Sequence, residues 1–329
     1  MGERSDSTAV TSRGSAEPGQ AGPARTPSRI RPARLRPGDT VAVVAPCGPV
    51  DPARLETGVE VLRSWGVQVV LGEHVTARHP TLEYLAGSDA DRAADLQRAW
   101  CDPDIDAVLC ARGGYGALRM VDLLDFDAMR AARPKILAGF SDVTVLHHAF
   151  ATHLGVATLH APMVATAPFT TDEPSRQMLH QMLFAPEETR RLTSPRARVL
   201  IGGEASGLTM GGCLSLLAAG RGTPGAPSTA SGAVLVIEDV DEDRYQIDRM
   251  LTELLRAGWL DGVAAVVAGS WHECGEGIDE LLVDRLGPLG VPVLTDLGFG
   301  HGPRSSTVPL GVRATVRGAA LVLDEPALA

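Results

Sequence analysis

Between residues 39 and 144 the chain alternates short apolar runs with segments of helical spacing, and that rhythm leaves few folds open. Residues 39–46, 67–71, 107–110 and 136–138 read as strands, and residues 51–65, 89–101 and 117–124 as helices. Asp51 is the expected N-cap of the first helix, and the second turns Ala94, Leu96 and Trp100 to the core. Such alternation calls for an α/β fold with a parallel sheet and helices on both faces. Ligands of such sheets sit at the carboxyl ends of the strands. The glycine loop Arg112-Gly113-Gly114-Tyr115-Gly116 and the turn Gly139-Phe140-Ser141-Asp142 both lie there.

The second of these is the more informative. An apolar run ends at Gly139, a serine follows two residues later, and a helix-like segment over 143–153 begins at once. A strand–turn–helix elbow of this kind lifts a serine oxygen off the sheet, with a helix N-terminus behind it to favour negative charge. Gly139 leaves room for the fold of the backbone. The usual esterase pattern would place another glycine where Val143 stands. The same residues also serve a plain helix N-cap, with Ser141 or Asp142 tying down a free N–H. The turn alone does not separate the two.

The glycine loop is a poor dinucleotide fingerprint, since Arg119 stands where the third glycine belongs, and it lacks the Gly-Lys-Ser/Thr of a P-loop. Adjacent glycines suit backbone N–H groups facing an oxyanion or a carboxylate, and equally a tight turn. A serine nucleophile needs a base. The rise of a helix carries His147 and His148 away from Ser141, and His153 and His160 are no better placed. His301, in Gly298-Phe299-Gly300-His301-Gly302, is the better candidate. An acid should orient it, and Glu238 closes the apolar run Ala233-Val234-Leu235-Val236-Ile237, where a carboxylate is costly without a partner.

Residues 162–198 are polar and dotted with proline, and read as a connection or lid. Beyond 199 come short strands over 207–210, 233–238, 263–268, 291–294, 314–316 and 319–323, with one clear helix over 249–257. The expected organisation is a disordered tail over 1–32, an N-terminal domain over 33–161, the connection, and a β-rich mixed α/β domain over 199–329. A net charge of −10 argues against a nucleic-acid or anionic-membrane partner. No apolar run approaches the ~18 residues of a membrane span, and the first residues hold no signal-peptide core. Five cysteines without a CxxC pair fit buried free thiols in a reducing cytoplasm. Lys135 is the only lysine, which we take as a coding bias.

Four motifs together resemble one family. These are residues 109–124 with Arg-Gly-Gly-Tyr-Gly, the Gly139–Asp142 turn, Ile237-Glu238-Asp239-Val240 with residues 244–251, and Gly300-His301-Gly302. In order and spacing they are similar to the LD-carboxypeptidases, serine peptidases of muropeptide recycling, from about residue 35 to 323. The resemblance implies a Rossmann- or flavodoxin-like N-terminal domain, a β-rich C-terminal domain and a site between them. It implies Ser141 as nucleophile, His301 as base and Glu238 as the orienting acid, in the Ser…Glu…His order of the unrelated α/β-hydrolases. The expected oxyanion hole is the N–H of Asp142 with that of Gly114, and Arg112, Gly113 and Tyr115 are expected to touch substrate. Arg112 and the loop after Pro46 are candidates to hold a terminal carboxylate. The resemblance further implies homodimers, no metal or organic cofactor, and a small peptide substrate, a cytoplasmic muramoyl tetrapeptide cut before its terminal D-Ala. One departure is Cys213 in Gly211-Gly212-Cys213-Leu214-Ser215, where the family often has asparagine. An alternative is the microcin C immunity type, which cleaves peptidyl or aminoacyl nucleotides and carries an aromatic residue in the connecting segment to stack on the base. Here that segment holds only Phe169 and Phe184. A third possibility is a cleft that binds a small ligand without chemistry.

Overall fold

The computed structural model describes residues 1–2 and 29–329 and contains two sheets. The opening rhythm folds as β1 (Thr40–Val44), α1 (Pro52–Ser64), β2 (Gln68–Leu71), α2 (Asp89–Cys101), β3 (Ala107–Cys110), α3 (Ala117–Met120), α4 (Phe126–Ala131), β4 (Ile136–Gly139), α5 (Thr144–Ala149) and β5 (Thr158–His160). Asp51 caps α1, its carboxylate accepting from the N–H groups of Ala53 at 2.9 Å and Arg54 at 3.0 Å. The five strands run parallel in the order β2-β1-β3-β4-β5, the flavodoxin-like arrangement. Alternate residues face opposite sides. Val41, Val43 and Leu109 join Leu55, Val59 and Leu62 of α1, while Ala42, Val44 and Val108 join Leu96 and Trp100 of α2. Ala94 is only half-buried, and Ala93 takes its expected place in the core.

Two expected helices are not α-helical throughout. The 117–124 helix ends at Met120 and passes into a 3-10 turn, Val121–Leu123, because Asp125 caps α4 by accepting from Asp127 and Ala128. The 143–153 helix is a 3-10 turn, Ser141–Val143, then α5, then a π-helical turn, Phe150–Leu154, closed by Gly155 at φ 67°.

The stretch 162–198, expected as a connection or lid, folds into helices packed on the core. It forms α6 (Ala167–Thr170), α7 (Glu173–Phe184) and β6 (Arg191–Leu192), with Phe169, Leu179, Met182 and Leu183 buried in the same cluster as α1. The prolines that break its pattern, Pro168 and Pro174, sit in the first turns of α6 and α7, where no N–H is needed.

The remainder forms β7 (Arg198–Ile201), β8 (Glu204–Cys213), α8 (Leu214–Gly220), β9 (Ala233–Val240), α9 (Arg244–Arg256), β10 (Ala265–His272), α10 (Ile278–Leu286), β11 (Val293–Thr295), β12 (Val308–Leu310), β13 (Arg313–Arg317) and β14 (Leu321–Leu323). Its sheet has the order β6-β14-β13-β8-β9-β10-β11-β7, parallel from β8 to β11 and antiparallel at the margins. The single expected helix is joined by α8 and α10. It also begins earlier, at Arg244, because Asp243 and Gln246 form a capping box. Leu217, Ile247, Leu251 and Leu282 bury these helices against β9 and β10.

The two sheets are not divided as the sequence suggested. β12 leaves the C-terminal part and pairs antiparallel with β5 in the first sheet. Val43, Leu159, Val236 and Val267 then lie in one continuous core. Residues 29–32, expected within a disordered tail, are pinned instead. Ile30 pairs with Val156, Arg29 N–H donates to the Gly311 carbonyl at 2.9 Å, and Arg31 donates to Pro326 at 2.9 Å. The rest of the expected tail, residues 3–28, lies outside the described residues. Lys135 has a structural task that coding bias did not suggest. Its buried ammonium donates to the carbonyls of Trp100, at 2.7 Å, and Asp102, at the C-terminal end of α2. Among the described residues no helix is long and apolar enough to cross a membrane, and all five cysteines are free.

Candidate active site

β1 and β3 flank the switch point of the first sheet, and the loops leaving them meet there, Gly48 N–H donating to Gly113 at 2.8 Å. The turn after β4 lies against them. Ser141 sits at φ 65°, in the left-handed region that a side chain enters only under constraint, at a cost of ~1–3 kcal/mol. Its neighbour supplies that constraint. The buried Asp142 carboxylate accepts the Ala117 N–H at 2.7 Å, tying the serine turn to the start of α3. Burial pushes this carboxyl up, while the bonds from Ala117 and the Cys47 thiol pull it back. Gly113 is packed on the serine itself, since a Cβ there would lie 2.9 Å from Ser141 Cβ and 3.1 Å from its Oγ.

Glu238 comes from the other sheet. It lies near the end of β9, opposite Cys213 of β8, and is fully buried. His301 follows β11 in a loop that Ser270 holds, its N–H donating to Phe299 at 2.8 Å and its hydroxyl to the His301 carbonyl. Glu238 Oε2 accepts from both the Nδ1–H of His301, at 2.7 Å, and its backbone N–H, at 3.0 Å. The other ring nitrogen, Nε2, is 3.0 Å from Ser141 Oγ. Gly300 permits this approach, because a Cβ there would meet Glu238 Oε2 at 2.4 Å and its φ is 96°.

The electrostatics of the pair are consistent. Burial would raise the Glu238 carboxyl, but the charge of His301 and the imidazoles of His160 and His301 prevail and hold it at about 2. Burial would lower the His301 imidazole, yet Glu238, with help from Asp239, raises it above its ordinary 6.5. An ionised carboxylate facing Nδ1–H fixes the tautomer that leaves the Nε2 lone pair toward the serine.

The other candidates are distributed unevenly. Gly114 takes φ 103° against Gly48 and keeps the loop backbone beside Ser141. Arg112 is exposed and donates to the Pro49 carbonyl at 2.7 Å, with no bond to Ser141, His301 or Glu238. Tyr115 is exposed and stands edge-on to Tyr84 at 5.7 Å. His147 donates from Nε2 to Gly139 at 2.9 Å, and burial takes its imidazole down to about 3 and that of His148 to about 4. His153 stacks on Phe126 at 4.3 Å. Cys213, where the resemblance led us to expect asparagine, donates its thiol to Asp239 at 3.2 Å and its N–H to Thr144 at 3.0 Å. Among the described residues no cluster of His, Cys, Asp and Glu is arranged to hold a metal.

One residue was missed and one was weighed only as a base for Ser141. Arg92 is buried and donates to the carbonyls of Pro46 and Gly116, joining the loop after β1 to the glycine loop. An arginine between the core residues of α2 was its signal. His160 ends β5 beside Gly139, with Nε2 3.6 Å from Glu238 Oε1. A histidine inside the mostly apolar run 156–161 was the signal there.

Residues 41–161 match the description LD-carboxypeptidase N-terminal domain, and residues 206–316 match LD-carboxypeptidase C-terminal domain. A Streptomyces coelicolor protein named as a carboxypeptidase is 57% identical over 303 residues, covering 91% of this chain and 97% of its own. The murein tetrapeptide carboxypeptidase of Pseudomonas aeruginosa is 32% identical over 289 residues, covering 84% and 93%. The microcin C7 self-immunity protein MccF of Escherichia coli is 25% identical over 322 residues, covering 86% and 92%. A solved structure of MccF in complex with glutamyl sulfamoyl guanosine has a TM-score of 0.81 at 22% identity, covering 91% of this chain and all of that one, and shares the fold.

Proposed function

The chain belongs to the LD-carboxypeptidase family and is a serine-type carboxypeptidase, and from this premise we propose that Ser141, His301 and Glu238 release terminal D-Ala from a muramoyl tetrapeptide. The line from Ser141 Oγ through both nitrogens of His301 to Glu238, at 3.0 and 2.7 Å, carries this reading. Ser141 Oγ attacks the carbonyl of the L-centre while His301 Nε2 takes its proton. The C–N bond then breaks, His301 returns the proton to the amine of D-Ala, and water attacks the acyl-enzyme by the same relay. Glu238 keeps Nδ1–H in place and offsets the imidazolium charge. The N–H groups of Asp142 and Gly114 hold the oxyanion, and Arg112 faces the terminal carboxylate of the substrate. These steps ask for no metal or organic cofactor. The setting is muropeptide recycling in the cytoplasm, by a homodimer that engages neither nucleic acid nor membrane.

The nucleotide-cleaving alternative calls for an aromatic face in the 162–198 segment. Phe169 is fully buried, and Phe184 is packed against Trp65 at 6.3 Å and His180 at 4.6 Å, which disfavours that use. Mass spectrometry after incubation with each substrate tests the choice. Loss of one alanine from a muramoyl tetrapeptide, with a peptidyl nucleotide left whole, supports the carboxypeptidase reading. The reverse result would overturn it.

A further inference from the structure

Glu238 has two carboxylate oxygens, and His301 uses one of them. Both hydrogen bonds from His301, through Nδ1–H and backbone N–H, end on Oε2. Oε1 is buried with no hydrogen-bond partner, although an ionised oxygen without a donor is costly in a protein interior. The polar atom that faces it is Nε2 of His160, at 3.6 Å, and both side chains are fully buried. Neither nitrogen of His160 has another partner. Its backbone is fixed between Gly139 and Val308, and its ring lies between Phe140 and Phe299, each with centroids 5.4 Å away. Phe140 also touches the His301 ring at 4.9 Å, so one phenyl ring spaces both imidazoles around one carboxylate.

We propose that His160 is a positioning residue, its Nε2–H holding the second oxygen of Glu238 so that the carboxylate stays in the plane that directs His301. This rests on the reading of Ser141, His301 and Glu238 as a working triad. A movement of about 0.7 Å brings the contact to ordinary hydrogen-bond length, and contacts of this kind tighten when substrate is bound. A packing role alone would be filled as well by leucine or phenylalanine. Those side chains would leave the ionised oxygen facing hydrocarbon.

The tautomer of His160 is the first test. In protein labelled with 15N-histidine, Nε2 of His160 carries the proton, and that proton signal moves in Glu238→Gln. A proton on Nδ1 only would overturn the proposal, and this measurement uses the unaltered enzyme. The second test is a double-mutant cycle. His160→Leu lowers kcat about 10- to 100-fold, the span of a hydrogen bond to a charged group, with KM little changed. His160→Gln, whose amide still donates at similar reach, recovers most of that loss. In Glu238→Gln, the further change to His160→Leu alters kcat by less than about twofold. The acid limb of kcat/KM moves down in His160→Leu, because His301 loses a fixed partner. The groups facing His301 are Glu238 and Asp239, and those facing His160 are Glu238 and His147. Losses that add in full, or an unmoved limb, would show a purely structural residue. Wild-type turnover by Glu238→Gln would sink the triad reading itself. An impaired Glu238→Gln beside an unimpaired His160→Leu would sink only the role of His160.

Discussion

Ser141 and His301 lie 160 positions apart, and their Oγ and Nε2 atoms stand 3.0 Å from each other. The serine comes from the turn after β4 and the histidine from the loop between β11 and β12, so each sheet supplies what the other lacks. The strand that follows the histidine, β12, then pairs with β5 beside β4. That return anchors the His301 loop to the sheet carrying the serine turn.

A base must be neutral to accept the serine proton. Because the His301 imidazole is raised above 6.5, kcat/KM should fall with pH through a midpoint above that value. Glu238, held at about 2, stays ionised throughout. In Glu238→Gln the raising partner is gone while burial remains, so the midpoint moves to lower pH. Turnover should fall by up to ~10⁴-fold. A pH–rate profile of both proteins checks this, and coincident midpoints would count against the pairing.

Gly113 has no positive φ, so alanine is acceptable to its backbone, but its Cβ would press on Ser141. Gly113→Ala should therefore lose ~10²-fold or more in kcat, the effect of a displacement of about 1 Å at a reacting group. Its melting temperature should stay within a few degrees of wild type. Full activity in this variant would mean that the serine does not work in the position seen here.

Much of this site was legible because its parts are local. The Asp51 cap, the glycine pair and the Gly139-Phe140-Ser141-Asp142 turn each announce themselves within a few residues. Glu238 and His301 were legible as a buried acid and a glycine-flanked histidine that it could orient, each weak by itself until the family resemblance added to them. Long-range geometry was hidden. β12 has three residues and a proline, too few to show which sheet it would enter. His160 was set aside because the question asked of it was reach to Ser141, whereas its contact is with an acid 78 positions later (238 − 160). In α7 the apolar spacing of Leu179, Met182 and Leu183 was present, but its early proline obscured the helix start.

Truncation should separate two parts of the N-terminal segment. Removing residues 2–28 leaves the bonds of Arg29, Ile30 and Arg31 to Gly311, Gly155, Ala157 and Pro326 in place. Melting temperature and activity should then be nearly unchanged. Removing residues 2–32 takes these bonds away and should lower the melting temperature by several degrees, at about 4 °C or less per kcal/mol in a chain of this size. Equal melting of the two truncations would contradict the pinning.

Acid should weaken the fold through its buried histidines. His147 and His148 have imidazoles lowered to about 3 and about 4 by burial, against 6.5 in an unfolded chain. Between pH 6.5 and about 4 the unfolded chain takes up protons that the native state refuses, so stability falls as pH falls. The limit is ~1.4 kcal/mol per pH unit for each histidine. Asp142 and Asp239, whose carboxyls burial raises, act in the opposite sense and reduce the net slope. Urea titrations at stepped pH should show the decline, with a shallower slope in His148→Asn. An unchanged slope in His148→Asn would mean that this histidine is not held neutral.

Covalent labelling with a fluorophosphonate probe, followed by peptide mapping of wild type, Ser141→Ala and His301→Ala, tests whether Ser141 is a nucleophile activated by His301. A single adduct on Ser141 in wild type, absent from Ser141→Ala and strongly slowed in His301→Ala, is the predicted result. An adduct on another residue, or labelling of Ser141 at an undiminished rate without His301, would contradict it.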